Sequence, residues 1–132
     1  MRFALLAFLA LAATGAAWAD NFAGIEPGAL AERLEAADPP LLVLDVRSVA
    51  EFDEGHIPGA VNIPYDVLGE RIAELGPANE RDVVVYCRSG RRAAIALETL
   101  GKSGFSRLFH LEGDYLRWSE ENRPLIQANA KP

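Results

Sequence analysis

Cysteine is almost absent from this chain: among 132 residues there is one, Cys87. A lone cysteine excludes an internal disulfide, so the fold must be held by its apolar core. Metal ligands are equally scarce. Only His56 and His110 could join Cys87 as nitrogen or sulfur donors, too few for the usual zinc sets, and no metal is expected. An excess of positive charge is missing as well. The chain carries 13 basic against 19 acidic residues, a net charge of −6, which argues against nucleic acid as a partner. No repeat, low-complexity tract or long linker interrupts it, so its length fits one domain with one core.

Long uncharged runs are lacking everywhere except at the start. Arg2 is followed by an apolar stretch from Phe3 to Ala19, ending in the small-x-small triplet Ala17-Trp18-Ala19 before Asp20. That is the pattern of a cleaved secretory signal. The stretch is short and alanine-rich for a membrane span, and Asp20 stands where a basic stop would be. No cysteine lies at the cleavage point to take a lipid. The expectation is a signal peptide over residues 1–19 and a single domain over residues 20–132, exported and free of the membrane after cleavage.

The remaining pattern alternates strand and helix. Phe22 to Ile25 reads as a short strand, and Leu30 and Leu34 mark a helix opened by Pro27-Gly28, ending near Ala37 and broken by Asp38-Pro39-Pro40. Leu41 to Val46 is a continuous apolar run, the signature of a strand buried on both faces. Ser48 and Glu51 match a capping box for a helix to about Glu54. A brief strand is expected at Val61 to Ile63, then a helix with Leu68, Ile72 and Leu75 on its apolar stripe and Gly76 as C-cap. Val83 to Tyr86 reads as a central strand, the helix after Cys87 ends at Gly101, Phe105 to Leu111 is a further strand, and Asp114 to Glu121 a last helix. This order predicts an α/β sheet with helices on both faces. In such sheets ligands bind beyond the carboxyl ends of the strands, where Cys87 lies.

The stretch Cys87-Arg88-Ser89-Gly90-Arg91-Arg92 concentrates the chemistry. It is a strand-to-helix turn with three arginines in the five residues after the thiol, the densest basic cluster of an acidic chain. Helix-start amides and positive side chains favour a thiolate, and Gly90 lets the backbone curl so that successive amides make an anion nest. A nucleophilic, accessible sulfur is therefore expected. Cysteine-based phosphatases need an arginine that here would be residue 93, and residue 93 is Ala93. The arginine falls one place early, at Arg92. The smaller loop suits one extra sulfur atom better than a tetrahedral phosphate, and the histidine common before such a cysteine is replaced by Tyr86.

Three ordered segments resemble the rhodanese family, the thiosulfate sulfurtransferases, and in particular small single-domain members exported to the bacterial periplasm. They are Leu44-Asp45-Val46-Arg47 with Glu51-Phe52 and Gly55 to Pro64, then Cys87 to Arg92, then Leu111 to Trp118. The resemblance covers about residues 22–126. It implies the rhodanese-like α/β fold, with a mostly parallel five-stranded sheet between helices. It also implies ping-pong transfer of sulfur from thiosulfate through a Cys87 persulfide to cyanide or a thiol, with no metal or organic cofactor. A monomer is expected, whose partners are a small anionic sulfur donor and a thiophilic acceptor. The alternative is a persulfide carrier or sulfur-sensing module with little turnover of free thiosulfate.

Position by position, the resemblance makes Cys87 the nucleophile and Arg88, Ser89, Gly90, Arg91 and Arg92 the substrate-binding loop. Arg92 is the loop-closing arginine and is equally suited to pairing with a carboxylate. Asp45 and Arg47 brace the site from a neighbouring strand end. Glu51 is read as a helix cap, His56 as a hydrogen-bonded loop residue, Trp118 as packing and His110 as incidental. Asp114 departs from the family, which often has a second glycine there; the expectation is either that it caps the last helix or that it alters the pocket rim and with it substrate preference.

Overall fold

A computed structural model describes residues 22–36 and 39–128. The expected signal peptide and the end of the first helix at Ala37 lie outside the described residues. Five strands alternate with helices: β1 (Ala23–Ile25), α1 (Pro27–Glu35), β2 (Leu41–Asp45), α2 (Val49–Glu54), β3 (Val61–Asn62), β4 (Asp82–Tyr86), α3 (Arg91–Lys102), β5 (Leu108–Leu111) and α4 (Asp114–Glu120). The sheet order is β1-β5-β4-β2-β3, and every pairing is parallel. The α/β sheet matches the alternation of the sequence, and its five strands match what the family resemblance implies, here with no antiparallel pair in the sheet.

The two apolar runs, β2 and β4, pair in the middle, from Leu41 opposite Asp82 to Asp45 opposite Tyr86. Side chains alternate between faces along a strand, and that alternation divides the core in two. Leu42, Leu44, Val83, Val85 and Cys87 pack with Ala93, Ala96, Leu97 and Leu100 of α3 on one face. Val43, Val84 and Tyr86 pack with Leu30 of α1 and Trp118 of α4 on the other. From β2 the chain moves outward to β3, whereas from β4 it moves the opposite way to β5. The carboxyl ends of β2 and β4 therefore flank the point where the winding reverses, the place where open α/β sheets form a crevice.

The segment between β3 and β4 departs from expectation. In place of one helix there are two 3-10 turns, Leu68–Glu70 and Ile72–Leu75. Gly69 weakens helix propagation inside the first, and so short a segment has little cooperativity to offset nucleation. The Arg71 amide is shared between the carbonyls of Val67 and Leu68, marking the break. Leu68 and Leu75 still reach the core, and Gly76 stops the segment with φ of 75°. The strand expected from Phe105 begins only at Leu108, because Ser106 is held by the Asn79 side chain instead of a ladder partner.

At the end of β2 lies a buried ion pair. Asp45 is 0% and Arg47 3% exposed. The Arg47 Nη2 donates to Asp45 Oδ2 at 2.7 Å and to the Gly55 carbonyl at 2.7 Å. Its guanidinium carbon sits 4.2 Å from the Tyr115 ring centroid and 5.6 Å from that of Tyr86. The pair thus joins β2 to the end of α2 and to α4, on the sheet face opposite Cys87. Removing one partner strands a buried charge. Asp45→Ala should cost about 3–5 kcal/mol in urea unfolding, while Asp45→Leu combined with Arg47→Met should cost less than Asp45→Ala alone.

Candidate active site

Cys87 is the residue after β4, and α3 starts four residues later. The turn between them is made by Gly90, whose φ of 122° is in the region that favours glycine. In that conformation the Gly90 amide donates to Cys87 Sγ at 3.0 Å. The amides of Ser89 and Ala93 also favour the anionic sulfur. The expected curl of main-chain donors around the thiol is present.

The loop is fastened from behind by α4. The Tyr115 amide donates to the Cys87 carbonyl at 3.0 Å, and the Leu116 amide to the Arg88 carbonyl at 3.2 Å. First-turn amides of a helix lack partners within it; here two of them take the carbonyls that the curl turns away from the sulfur. Asp114 completes the attachment by accepting the Cys87 amide at 3.0 Å. Its side chain does not cap α4, whose N-cap is Gly113, so the expectation of a capping role is corrected. The reason is geometric: with φ of 53° the residue turns its carboxylate back toward the loop.

A second fastening comes from α2. Arg92 donates to both oxygens of Glu51, at 2.7 and 3.0 Å. Glu51 also accepts from the Ser48 amide and hydroxyl, while the Glu51 amide donates back to Ser48 Oγ. The capping box is confirmed, and the same carboxylate closes the loop. The Arg92 hydrogen bonds hold the Glu51 carboxyl near 2, down from an ordinary 4.5. Arg92 is therefore engaged as a brace, whereas Arg88, Ser89 and Arg91 are exposed. Among the described residues, the side chains of Arg88 and Arg91 have no ion-pair partner.

The sulfur itself corrects an expectation. Cys87 is 1% exposed, not open to solvent. Burial pushes its thiol above the ordinary value, and the Asp114 charge pushes the same way, against the loop amides. The same sulfur thus meets groups that oppose its ionisation and amides that favour its anion. A cleft of about 390 Å³ runs along Val46, Ser48, Val49, Pro64 and Tyr65 and reaches the loop only at Arg92.

His56 stacks on Phe52, with ring centroids 3.6 Å apart, and its Nδ1 lies 2.8 Å from the Phe52 carbonyl. It is the hydrogen-bonded loop residue expected from sequence. Trp118 is packed in the core and donates to the Pro124 carbonyl at 2.9 Å. Tyr86, at the place before the cysteine, lies on the opposite face of the sheet and accepts the Ile57 amide at 3.1 Å. His110, read as incidental, is not: its Nε2 lies 3.0 Å from both Asp114 oxygens. The only hint in the sequence was the four-residue spacing from His110 to Asp114. Among the described residues, no group of three or more His, Cys, Asp or Glu side chains is arranged to hold a metal ion.

A family profile described as the Rhodanese-like domain matches residues 26–121. The chain belongs to the rhodanese family. Over 102 residues this rhodanese is 35% identical to a sulfurtransferase of Allochromatium vinosum, spanning 77% of this chain and 92% of that one. It is 37% identical over 84 residues to a Bacillus subtilis protein provisionally named as a sulfur carrier, spanning 63% of this chain but only 44% of that one. Among solved structures, a rhodanese-related protein from Thermoplasma volcanium superposes with a TM-score of 0.68 at 30% identity, covering 80% of this chain and 98% of that one.

The Glu51–Arg92 closure has a definite pH dependence. A carboxyl whose folded value is depressed contributes stability above its unfolded value, and that contribution is lost as pH falls through the folded one. For Glu51 the window runs from about 4.5 down to about 2. The urea midpoint of the native protein should fall more steeply across this window than that of Glu51→Gln. Parallel slopes in equilibrium unfolding would count against the pairing.

Proposed function

We propose that this rhodanese is a sulfurtransferase that carries the outer sulfur of thiosulfate to a thiophilic acceptor through a persulfide on Cys87. The observation that supports it best is the cradle: one sulfur at a strand end, faced by loop amides that favour its anion, in a loop closed by Arg92 on Glu51. Such a cradle is preorganised for negative charge on a terminal sulfur.

In the first half-reaction Cys87 loses its proton to solvent and the thiolate attacks the outer sulfur of thiosulfate. The S–S bond of thiosulfate breaks, and sulfite leaves with the electron pair. In the second, the acceptor's lone pair attacks the terminal sulfur of the persulfide. The Cys87–sulfur bond breaks, returning the thiolate and releasing thiocyanate when the acceptor is cyanide. Splitting the transfer in two replaces one difficult collision by two easier ones. Arg88 and Arg91, exposed on the loop, offset the long-range repulsion between a dianion and a chain of net charge −6. Arg92 holds the loop's shape, and Asp45 and Arg47 steady the strand end from the opposite face. The apolar start of the chain supports export, with the protein acting in the periplasm.

A carrier role is the second reading. It is favoured by the near-complete burial of Cys87, which would shield a stored persulfide, and by the likeness to a protein named as a sulfur carrier. Intact mass after incubation with thiosulfate separates the two. A gain of one sulfur atom that cyanide removes within the mixing time supports the transferase. An adduct that resists cyanide and passes only to another protein supports the carrier. Cys87→Ser should show neither the adduct nor sulfite release, and turnover retained in that variant would overturn both readings.

A further inference from the structure

His110 and Asp114 form a couple, the carboxylate buried and the imidazole partly so, that the transfer steps above do not use. Asp114 is 2% exposed and carries three contacts: the Cys87 amide at 3.0 Å and His110 Nε2 at 3.0 Å from each oxygen. It adopts φ of 53°, a left-handed conformation that is uncommon for a residue with a Cβ. A glycine would sit there without strain, yet this chain places a carboxylate against the main chain of its single cysteine. A buried carboxylate needs compensation, and among the described residues the imidazole is the only side chain hydrogen-bonded to it.

We infer that Asp114 and His110 act together as positioning residues for Cys87, the carboxylate anchoring the loop and the imidazole governing how much negative charge the sulfur meets. An ionised carboxylate can only accept hydrogen bonds, so Nε2 carries the proton whether His110 is neutral or charged. The geometry therefore survives titration, while the net charge of the couple changes. With imidazolium the couple is neutral; with imidazole it is a buried negative charge behind the sulfur. A nearby like charge disfavours an anion, and Asp114 does push the Cys87 thiol up. Protonation of His110 thus favours the thiolate, and the thiolate in turn favours protonated His110.

The other charged groups around the sulfur do not duplicate this device. Arg92 of α3 is held by Glu51 of α2. The Asp45–Arg47 pair at the end of β2 is mutually neutralised on the opposite face of the sheet. Arg88 and Arg91 are exposed on the loop. Only the couple formed by β5 and α4 combines a buried carboxylate, contact with the Cys87 main chain and an imidazole partner.

The inference rests on Cys87 being the nucleophile, but its test needs no sulfur donor. The rate of Cys87 alkylation by iodoacetamide is followed against pH in the full chain, with folding checked by urea unfolding. Asp114→Asn keeps the acceptor for the Cys87 amide and removes the charge; its alkylation should be about tenfold faster than native at neutral pH. Asp114→Gly suits the backbone and should shift the same way, which covers failure of the asparagine variant to fold. His110→Gln keeps a donor to Asp114 but cannot titrate. Its rates should match native at high pH and fall below native at low pH. A purely structural role predicts slower or unchanged alkylation in every variant. Folded Asp114 variants no faster than native, or a His110→Gln profile superimposed on native at all pH values, would overturn the inference. Loss of thiosulfate turnover would not bear on it, so its failure is distinguishable from failure of the transferase reading.

Discussion

The site depends on where a few backbone carbonyls go. For amides to converge on one sulfur, the peptide planes of the loop must turn their carbonyls away from it, and buried carbonyls need donors. The first turn of α4 supplies them, through Tyr115 to Cys87 and Leu116 to Arg88. The helix start gains partners for amides it could not satisfy itself, and the loop gains a fixed shape. Arg92 on Glu51 performs the corresponding task at the other end, where the loop becomes α3. The cradle is thus held by α2 and α4, both distant in sequence from the residues they hold.

The electrostatics of this arrangement are opposed rather than uniformly favourable. Burial and Asp114 work against ionisation of the thiol, and the amides work for it. A site with only the first two would store an inert cysteine; a site with only the last would expose a thiolate to any electrophile. The fold keeps both, and places the compensating imidazole of His110 behind the carboxylate instead of beside the sulfur. Asp45 and Arg47 belong to a separate balance. Alternation along β2 sends them to the face opposite Cys87, where they tie the crevice wall to Tyr115 and Gly55.

Much of the fold was legible in the chain. The continuous apolar runs of β2 and β4 announced strands buried on both faces, and the order of elements announced a parallel sheet. Ser48 and Glu51 announced a helix start that the structure bears out to the hydrogen bond. The segment from Leu68 to Leu75 was misread because its apolar spacing is helical while Gly69 and its shortness favour tighter turns. Asp114 was misread for a different reason: an acidic residue at a helix start ordinarily caps it, and only a positive φ, invisible in sequence, turns the carboxylate elsewhere.

What the sequence by itself determined is local: strand and helix periods, the glycine that lets the loop curl, the arginine one place early, and the single sulfur among basic residues. These follow from short-range sterics and hydrogen bonding, which a chain carries wherever it is placed. The tertiary structure alone decided that Cys87 is buried, that Arg92 is occupied by Glu51, and that His110 stands behind Asp114. Those depend on burial and on contacts between elements brought together by strand order, and the charge a sulfur meets is set by such neighbours.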